Sequence, residues 1–370
     1  MGGPVTFVYK VETREDALKV LVLTDCPSPY QVELFNEIEA QGECSLEVAY
    51  LRSRDPERQW KSSEIRHASI ELNEGMSRAR EIARGADLVV FNYYRHADAE
   101  ELIEERAAAG GPWCFWGERP GFHQPAWAGR LLRRWKLAKL HASAVPIWGI
   151  GKFAVDGYRK EFGARRAYFN LPYFSDLERF NVPACEENSE RTFLFSGSLI
   201  ARKGVDLLAG AFVRLAQEVP RVRLRIVGEG ELRESITEML RPVSERVEFV
   251  GFKDWDALPG EYGRADVLCV PSRYDGWGLV VPEGLASRLP VIASDRMGAG
   301  LEFVESGRNG WLIHAGDQEA LLSAMREAAL MPANELDEMG CYARESVSAH
   351  TLRNGAMRFF DYAQRVIAQW

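Results

Sequence analysis

One segment in the second half of the chain combines two acidic side chains with a glycine-flanked tryptophan. It reads RYDGWGLVVPEGLASRLPVIASD over residues 273–295, with Asp275 and Glu283 eight positions apart. Ordinary surface charge is one interpretation. The other is that both acids bind one ligand. The N–H groups at a helix start suit phosphate or sugar oxygens. A carboxylate near a strand end can accept two ribose hydroxyls. A helix is expected from about Leu279 to Arg288. A nucleotide-sugar, with its ribose, diphosphate and polyol, would use all of these groups.

A second loop supplies positive charge. The segment SGSLIARKG (196–204) follows an apolar run, and Arg202 and Lys203 precede a helical pattern that begins near Val205. A helix start with adjacent basic residues is an anion site, although solvated basic turns are common. The P-loop spacing GxxxxGK[ST] is absent, which argues against a P-loop ATPase. The loop slightly favours phosphate binding, as does the glycine turn GEGEL at 228–232.

Short apolar runs alternate with longer amphipathic segments along the chain. The strand-like runs are KVLVLTD, SLEVAYL, ADLVVFN, PWCFWGE and AVPIWGI in the first half, and TFLFSGS, RLRIVGE, VEFVGF, ADVLCVPS and PVIASD in the second. Near-continuous apolar runs indicate strands that are buried on both faces of a parallel sheet. The alternation therefore predicts an α/β protein with two doubly wound domains.

The Pro-rich, acidic segment 170–190 has neither a strand nor a helix period and marks the domain boundary. We predict an N-terminal Rossmann-like domain of residues 19–176, completed by the helical segment 351–370, and a C-terminal Rossmann-like domain of residues 177–350. Ligands of open α/β sheets bind beyond the carboxyl ends of the strands. We therefore expect the two parallel-sheet domains to face each other across a cleft, with the last helix crossing back to the first domain.

The composition argues against several other classes of protein. The 370 residues are 46% hydrophobic and 27% charged, as in soluble globular proteins. A net charge of −8 argues against a general nucleic-acid-binding protein, which needs clustered positive charge. None of the six cysteines lies in a CxxC pair, which indicates reduced thiols in the cytoplasm. No apolar run approaches the ~18–20 residues of a membrane span.

The segment 273–295 resembles that of one enzyme family. Retaining glycosyltransferases of the GT-B fold in family 4 (glycosyl transferases group 1) carry E-G-F-G-L-x-x-x-E-A-M-A-x-G-x-P-V-I-A, and this chain has D-G-W-G-L-V-V-P-E-G-L-A-S-R-L-P-V-I-A. The resemblance extends through SGSLIARKGVDLL, IVGEGEL, WDALPGEYGRADVLCVPS and GLEFVESGRNGWLI, and so covers most of residues 192–314. It implies transfer of a sugar from a UDP- or GDP-sugar to a glycan, lipid-linked or small-molecule acceptor. It also implies front-face attack and no metal or other cofactor.

The resemblance assigns roles to individual residues. Glu283 would hold the ribose hydroxyls, Asp275 would contact the donor sugar and Lys203 would bind the diphosphate. Two residues depart from the family pattern, because Asp275 stands in place of Glu and Ser198 in place of a diphosphate-binding Arg. Arg202, four positions after Ser198, is our candidate for the missing charge. Arg202 and Lys203 would stabilise the leaving group electrostatically.

The site residues predicted for the donor lie in loops of the second half. The predicted donor-binding residues are Gly197, Ser198, Gly228, Phe252, Gly276, Trp277, Gly278, Leu279, Val280 and Glu283. The predicted catalytic residues are Arg202, Lys203, Asp275 and Glu118. Glu118 follows a strand of the first half, where many relatives have a His.

The first half is predicted to bind the acceptor. Loops that follow its strands supply the candidates, which are Tyr30, Gln31, Tyr93, Tyr94, Arg119 and His123. Packing in the core or at the rim explains the aromatic side chains equally well.

The segment GRLLRRWKLAKLHA (129–142) predicts a helix with basic residues around an apolar face, which consists of Leu131, Leu132, Trp135 and Ala138. Such a helix can lie on an anionic membrane, but we favour packing of its apolar face in the domain core. The expected location is the cytoplasm, and peripheral contact with the inner face of the membrane is the second interpretation.

Two other functions stay open. A nucleotide-sugar 2-epimerase of the same fold would need no acceptor, and a non-catalytic nucleotide-sugar-binding subunit would explain Ser198 and Asp275. The D-x-D of KDWDAL (253–258) matches the metal motif of a different glycosyltransferase fold. We interpret Asp254 instead as a helix N-cap and expect no metal.

Overall fold

The computed structural model describes residues 17–54, 63–92, 96–120, 126–182 and 190–370. It divides into two compact units. The first contains the described residues up to Ser175 together with Leu352–Trp370, and the second is Asp176–Thr351.

The first unit is built on a seven-stranded parallel sheet in the order β3-β2-β1-β4-β5-β6-β7. Its strands are β1 (Leu18–Thr24), β2 (Cys44–Tyr50), β3 (Ala68–Glu71), β4 (Leu88–Phe91), β5 (Trp113–Gly117), β6 (Ile147–Gly149) and β7 (Tyr168–Asn170). Its first six helices are α1 (Pro29–Gln41), α2 (Leu72–Gly85), α3 (Ala97–Ala108), α4 (Ala126–Lys136), α5 (Ala138–His141) and α6 (Lys152–Phe162). The inner strand β1 is buried from Val20 to Thr24 because helices cover both faces of a doubly wound sheet.

The second unit repeats this winding on six parallel strands in the order β10-β9-β8-β11-β12-β13. They are β8 (Arg191–Ser196), β9 (Val222–Val227), β10 (Val247–Gly251), β11 (Val267–Val270), β12 (Val291–Ser294) and β13 (Gly310–Ile313). Its α-helices are α7 (Val205–Glu218), α8 (Arg233–Leu240), α9 (Leu258–Tyr262), α10 (Val280–Ala286), α11 (Gly298–Phe303), α12 (Gln318–Leu330) and α13 (Ala333–Ser346). The prediction of two doubly wound Rossmann-like domains is confirmed.

The strands that the sequence patterns did not reveal lie at sheet edges. They are β3, β7 and β13, of three or four residues each. The β3 sequence ASIE has polar and exposed positions, since an edge strand needs no continuous apolar run.

The last helix, α14 (Leu352–Ala368), belongs to the first unit and packs on α1. Phe359, which is fully buried, contacts Trp148 edge to face with 5.3 Å between ring centroids. The Tyr362 hydroxyl donates to the Asn170 carbonyl over 3.2 Å. These contacts join the end of the chain to β6 and β7.

Helix α4 does not bury the apolar face predicted for residues 129–142, so that prediction is wrong. Leu131 is 63% exposed and Trp135 is 75% exposed. The helix ends at Lys136, and Leu137 has non-helical dihedral angles (φ −106°, ψ 24°). Because the helical period breaks there, Leu137 and Leu140 reach the core instead, each 3% exposed.

Candidate functional site

The loops at the carboxyl ends of β8 and β9 pack against each other. The Gly197 N–H donates to the Val227 carbonyl, and the Leu199 N–H donates to the Glu229 carbonyl, both over 2.9 Å. Gly228 has φ +128°, and a Cβ there would lie 2.0 Å from the Gly197 carbonyl oxygen. Only glycine allows this approach of the two backbones. The predicted donor residues Gly197 and Gly228 therefore shape one surface, on which Ser198 is exposed.

The basic loop is joined to the loop that carries Asp275. Residues 201–203 form a 3-10 turn that ends at Gly204 with φ +72°. The Arg202 carbonyl accepts from the Arg273 N–H over 2.8 Å, and the Arg202 guanidinium donates to the Tyr274 carbonyl over 3.1 Å. Arg273 also forms two 2.7 Å hydrogen bonds with the Asp206 carboxylate, which lower the pKa of that group. These hydrogen bonds therefore hold the two loops together.

Asp275 forms ion pairs with both predicted catalytic cations. The Lys203 ammonium hydrogen-bonds Asp275 Oδ2, and Arg202 Nη1 lies 3.6 Å from Asp275 Oδ1. The Asp275 side chain is 12% exposed and that of Lys203 is 19% exposed, so solvent screens their interaction only in part. The structure thus brings together three residues that the sequence analysis assigned to catalysis.

Glu283 lies in α10 and is 4% exposed. Tyr262 donates its phenolic hydrogen to Glu283 Oε2 over 2.9 Å. The Glu283 N–H donates to the Leu279 carbonyl over 3.1 Å, which anchors the backbone of the first helical turn. A buried carboxylate with a directed donor keeps a defined orientation, as a ribose-binding acid needs.

Helix α10 is shorter than predicted. It begins at Val280, one residue later than expected, and ends at Ala286, whereas Arg288 adopts a left-handed conformation with φ 62°. Gly278, just before the helix, has φ +89°, and its carbonyl accepts from the Val281 N–H over 3.1 Å. Leu279 lies at the N-cap, so residues 278–280 do form the helix start that the sequence predicted.

The Trp277 ring lies in the core of the second unit. It is 1% exposed, and its centroid is 5.8 Å from that of Phe303 and 6.0 Å from that of His350. The ring is thus directed into packing, and Gly276 and Trp277 are both buried. Phe252, another predicted donor residue, is 43% exposed after β10.

In the first unit, Gln31 belongs to a buried polar network. Its amide nitrogen donates to Thr24 Oγ1 over 3.2 Å and to Asn92 Oδ1 over 2.9 Å, while its amide oxygen accepts from Ser28 Oγ over 2.7 Å. Asn92 Nδ2 then donates to the Trp116 carbonyl over 2.8 Å. Gln31 therefore connects the carboxyl ends of β1, β4 and β5.

The other predicted acceptor residues have different surroundings. Tyr30 packs on Tyr173 with 4.7 Å between ring centroids. The Arg119 guanidinium lies 4.5 Å from the centroid of the Phe153 ring. Glu118 is exposed after β5, and its carbonyl accepts from the Tyr158 hydroxyl over 2.6 Å. The remaining three, which are Tyr93, Tyr94 and His123, lie outside the described residues.

The geometry of the second unit agrees with its likeness to known proteins. Residues 180–346 match the family described as Glycosyl transferases group 1. The second unit belongs to this glycosyltransferase family. The resemblance seen in the sequence is therefore confirmed, and the loops described above are those that carry the family pattern.

Individual proteins extend the likeness. A GDP-mannose-dependent alpha-(1-6)-phosphatidylinositol monomannoside mannosyltransferase of Mycolicibacterium smegmatis is 28% identical over 228 residues, 57% of this chain and 59% of that protein. The chain thus spans less than two thirds of that relative's length. Two solved structures have the same GT-B fold. Anabaena HepE, solved with UDP and glucose, is 15% identical with a TM-score of 0.72, covering 94% of this chain and 100% of that chain. Sucrose-phosphate synthase from Thermosynechococcus elongatus is 18% identical with a TM-score of 0.74, covering 95% and 100%.

Two structural details of the second unit differ from what the sequence predicted. Tyr262, the partner of Glu283, was not singled out, although it lies in the quoted motif EYGRADVLCVPS. The expected N-cap at Asp254 is wrong, because α9 begins at Leu258 after Ala257. Asp254 instead starts a turn with its carbonyl, which accepts from the Ala257 N–H over 2.9 Å.

Two features are absent from the described part of the chain. No cluster of three or more His, Cys, Asp or Glu side chains within it has an arrangement that could hold a metal ion. In the same residues, no helix has the length and apolar character needed to cross a bilayer.

Proposed function

We propose that this protein transfers a hexose from a nucleotide-sugar to a glycan, lipid-linked or small-molecule acceptor, with retention of anomeric configuration. The observation that carries the proposal is the placement of Lys203, Arg202 and Asp275 on joined loops at strand ends, in the same unit as the buried carboxylate of Glu283. A GDP-hexose is the donor we favour, because the mannosyltransferase relative is GDP-mannose-dependent.

The proposed chemistry is electrostatic. Cleavage of the sugar–phosphate bond gives the sugar oxocarbenium character and places negative charge on the diphosphate. Lys203, Arg202 and the backbone N–H groups around Gly278 would stabilise that charge with groups already in place. Glu283 would hold the ribose and Asp275 a hydroxyl of the donor sugar. We propose front-face attack without a metal ion.

The first experiment is a thermal-shift screen of the purified full chain with UDP-, GDP- and ADP-sugars. A ligand that binds only the folded state raises the melting temperature. The donor that gives the largest shift is then prepared with a radiolabel in its hexose. It is incubated with the protein and candidate acceptors, with and without EDTA. Retention predicts that NMR shows the same anomeric configuration in product and donor. Inversion would contradict the proposed mechanism, and loss of activity in EDTA would contradict metal independence.

The same assay separates the alternative functions. A 2-epimerase would interconvert two nucleotide-sugars without an acceptor. A non-catalytic subunit would bind the donor and neither transfer nor hydrolyse it. Either result would overturn the transferase proposal while leaving nucleotide-sugar binding intact.

We also propose that α4 contacts anionic membrane surfaces. Leu131 and Trp135, one helical turn apart, are 63% and 75% exposed, and the exposed Arg134 lies between them in sequence. An exposed aromatic and aliphatic pair beside basic residues suits the interface of an anionic bilayer. In flotation with phosphatidylglycerol vesicles, Leu131→Ser/Trp135→Ser should lose binding. Leu330→Ser, which changes a leucine that is 66% exposed in the second unit, should not. Equal flotation of all three proteins, or no preference over phosphatidylcholine, would contradict membrane contact.

A further inference from the structure

Tyr262 has contacts that connect three elements of the second unit. It ends α9, is fully buried, and packs edge to face on Phe180 with 5.2 Å between ring centroids. Its hydroxyl donates to Glu283 Oε2 over 2.9 Å. The Ser196 side chain, at the end of β8, is a polar neighbour of the Tyr262 hydroxyl.

An ion pair of the preceding residue fixes the backbone next to Tyr262. The preceding residue, Glu261, is 6% exposed and accepts from Arg225 Nε over 2.8 Å. Arg225 lies in β9, so this buried ion pair ties α9 to the sheet. A phenol on a tied helix has little freedom, and its O–H points in one direction.

The protonation state of Tyr262 determines which group donates in its hydrogen bond with Glu283. Burial, and then the neighbouring Glu283 carboxylate, raise the pKa of Tyr262 well above its usual value. The phenol therefore keeps its hydrogen at neutral pH and donates to Glu283. Each carboxylate oxygen accepts more than one hydrogen bond. The Glu283 carboxylate can thus accept from Tyr262 and also from ribose hydroxyls.

We propose that Tyr262 is a positioning residue that orients the Glu283 carboxylate for the two hydroxyls of the donor ribose. The inference rests on the proposed function, in which Glu283 binds that ribose. Tyr262 itself touches no part of the donor. Its effect should therefore disappear when the ribose hydroxyls are absent.

Tyr262→Phe keeps the ring and removes only the hydroxyl. Calorimetry should compare GDP with 2′,3′-dideoxy-GDP, and UDP with its dideoxy form. Loss of one hydrogen bond to a charged group corresponds to about 10-fold weaker binding. We expect that loss for GDP or UDP, and equal affinity of the two proteins for the dideoxy nucleotide. In the transfer assay, KM for the donor should rise by a similar factor and kcat should change by less than about 2-fold.

Tyr342→Phe is the matched control, because it makes the same change at a tyrosine of the second unit that is 38% exposed. It should bind every nucleotide as the unaltered protein does. Ser196→Ala provides a second route if Tyr262→Phe does not fold. It removes the polar neighbour of the Tyr262 hydroxyl and should weaken GDP or UDP binding by a smaller factor, again without effect on the dideoxy forms.

The outcomes are distinct. Equal losses with ribose and dideoxyribose nucleotides would show that Tyr262 supports the fold rather than Glu283, and would overturn the inference. Unchanged binding in Tyr262→Phe would overturn it as well. If the unaltered protein binds none of the nucleotides, the proposed function fails and the inference with it. If it binds nucleotides but transfers no sugar, only the transferase proposal fails.

Discussion

The Lys203 ammonium forms an ion pair with the Asp275 carboxylate across a sequence separation of 72 residues. Both side chains are mostly shielded from solvent. The pair holds a cation in place on one loop by means of an anion on another. In the proposed reaction, Lys203 keeps one neighbour that orients it while the diphosphate gains charge, and electrostatic catalysis requires such prior organisation.

Removal of the lysine should slow the chemical step. Lys203→Ala deletes a preorganised cation near the leaving group, and we expect kcat/KM for sugar transfer to fall by about 100-fold. Steady-state kinetics with a saturating acceptor measures this. Arg214→Ala, which removes a cation from an exposed pair with Glu319 in the same unit, is the control and should leave the rate unchanged. A Lys203→Ala enzyme with full activity would exclude Lys203 from leaving-group stabilisation.

Asp275→Glu should change the choice of donor. The longer side chain restores the residue that the family usually has, but it moves the carboxylate by one methylene relative to Lys203. Because a hydroxyl contact to a buried acid is directional, we expect the ratio of kcat/KM for GDP-mannose over GDP-glucose to change by about 10-fold. Competition between the two donors in one reaction measures the ratio. An unaltered ratio would show that Asp275 does not contact the sugar.

Gly204→Ala should displace the Lys203 loop. Gly204 has φ +72°, and an added Cβ would lie 2.1 Å from the Pro271 carbonyl oxygen. Gly307 is the matched control, since it has φ +78° in the same unit and no atom lies within 4 Å of its added Cβ. Both substitutions place an alanine in the left-handed region, which costs ~1 kcal/mol of stability. Only in Gly204→Ala does the new Cβ also clash with a backbone atom. We expect a larger loss of thermal stability and a larger rise in donor KM for Gly204→Ala. Equal effects would show that the loop adapts to the methyl group.

The buried His67 should make stability of the first unit depend on pH. Its Nε2 lies 2.9 Å from the Tyr50 hydroxyl oxygen, and its Nδ1 lies 2.8 Å from Asn36 Oδ1. Burial lowers the pKa of His67 from 6.5 to about 4. The unfolded chain therefore binds a proton at higher pH than the folded one. The contribution of His67 to the free energy of unfolding is therefore complete above pH ~6.5. It falls by up to ~3 kcal/mol as the pH falls from there to about 4.

Urea unfolding of the full chain at pH 7.5 and pH 4.5, followed through the transition of the first unit, measures this loss. His67→Gln removes the titrating group, so its free energy of unfolding should depend less on pH in this window, although the variant is less stable at pH 7.5. His314→Gln changes a histidine whose side chain is 87% exposed and should keep the full pH dependence. A His67→Gln profile parallel to that of the unaltered protein would assign the acid sensitivity to other groups.

Much of the fold could be predicted because local sequence carries the relevant physics. Strands buried on both faces need uninterrupted apolar runs, such as VLVL in β1 and VLCV in β11, and these are visible without a structure. The edge strands β3, β7 and β13 could not be predicted in this way, because one free edge and a few residues leave too little pattern. The acids Asp275 and Glu283 were recognisable since they share one continuous motif with the glycines around them.

The tertiary structure decided which side chains meet and which are buried. The pairing of Lys203 with Asp275 and of Tyr262 with Glu283 depends on adjacent strand ends, which bring together residues that are far apart in sequence. Helical periodicity alone placed Trp135 in the core, whereas the structure leaves it 75% exposed and buries Leu137, beyond the end of α4. Trp277 is buried for a comparable reason, since Phe303 and His350 form its pocket from distant segments. Local sequence pattern determines which elements form and which chemical groups the loops offer. The burial of a side chain and its hydrogen-bond or ion-pair partners are properties of the packed chain. They depend on contacts between residues that are far apart in sequence.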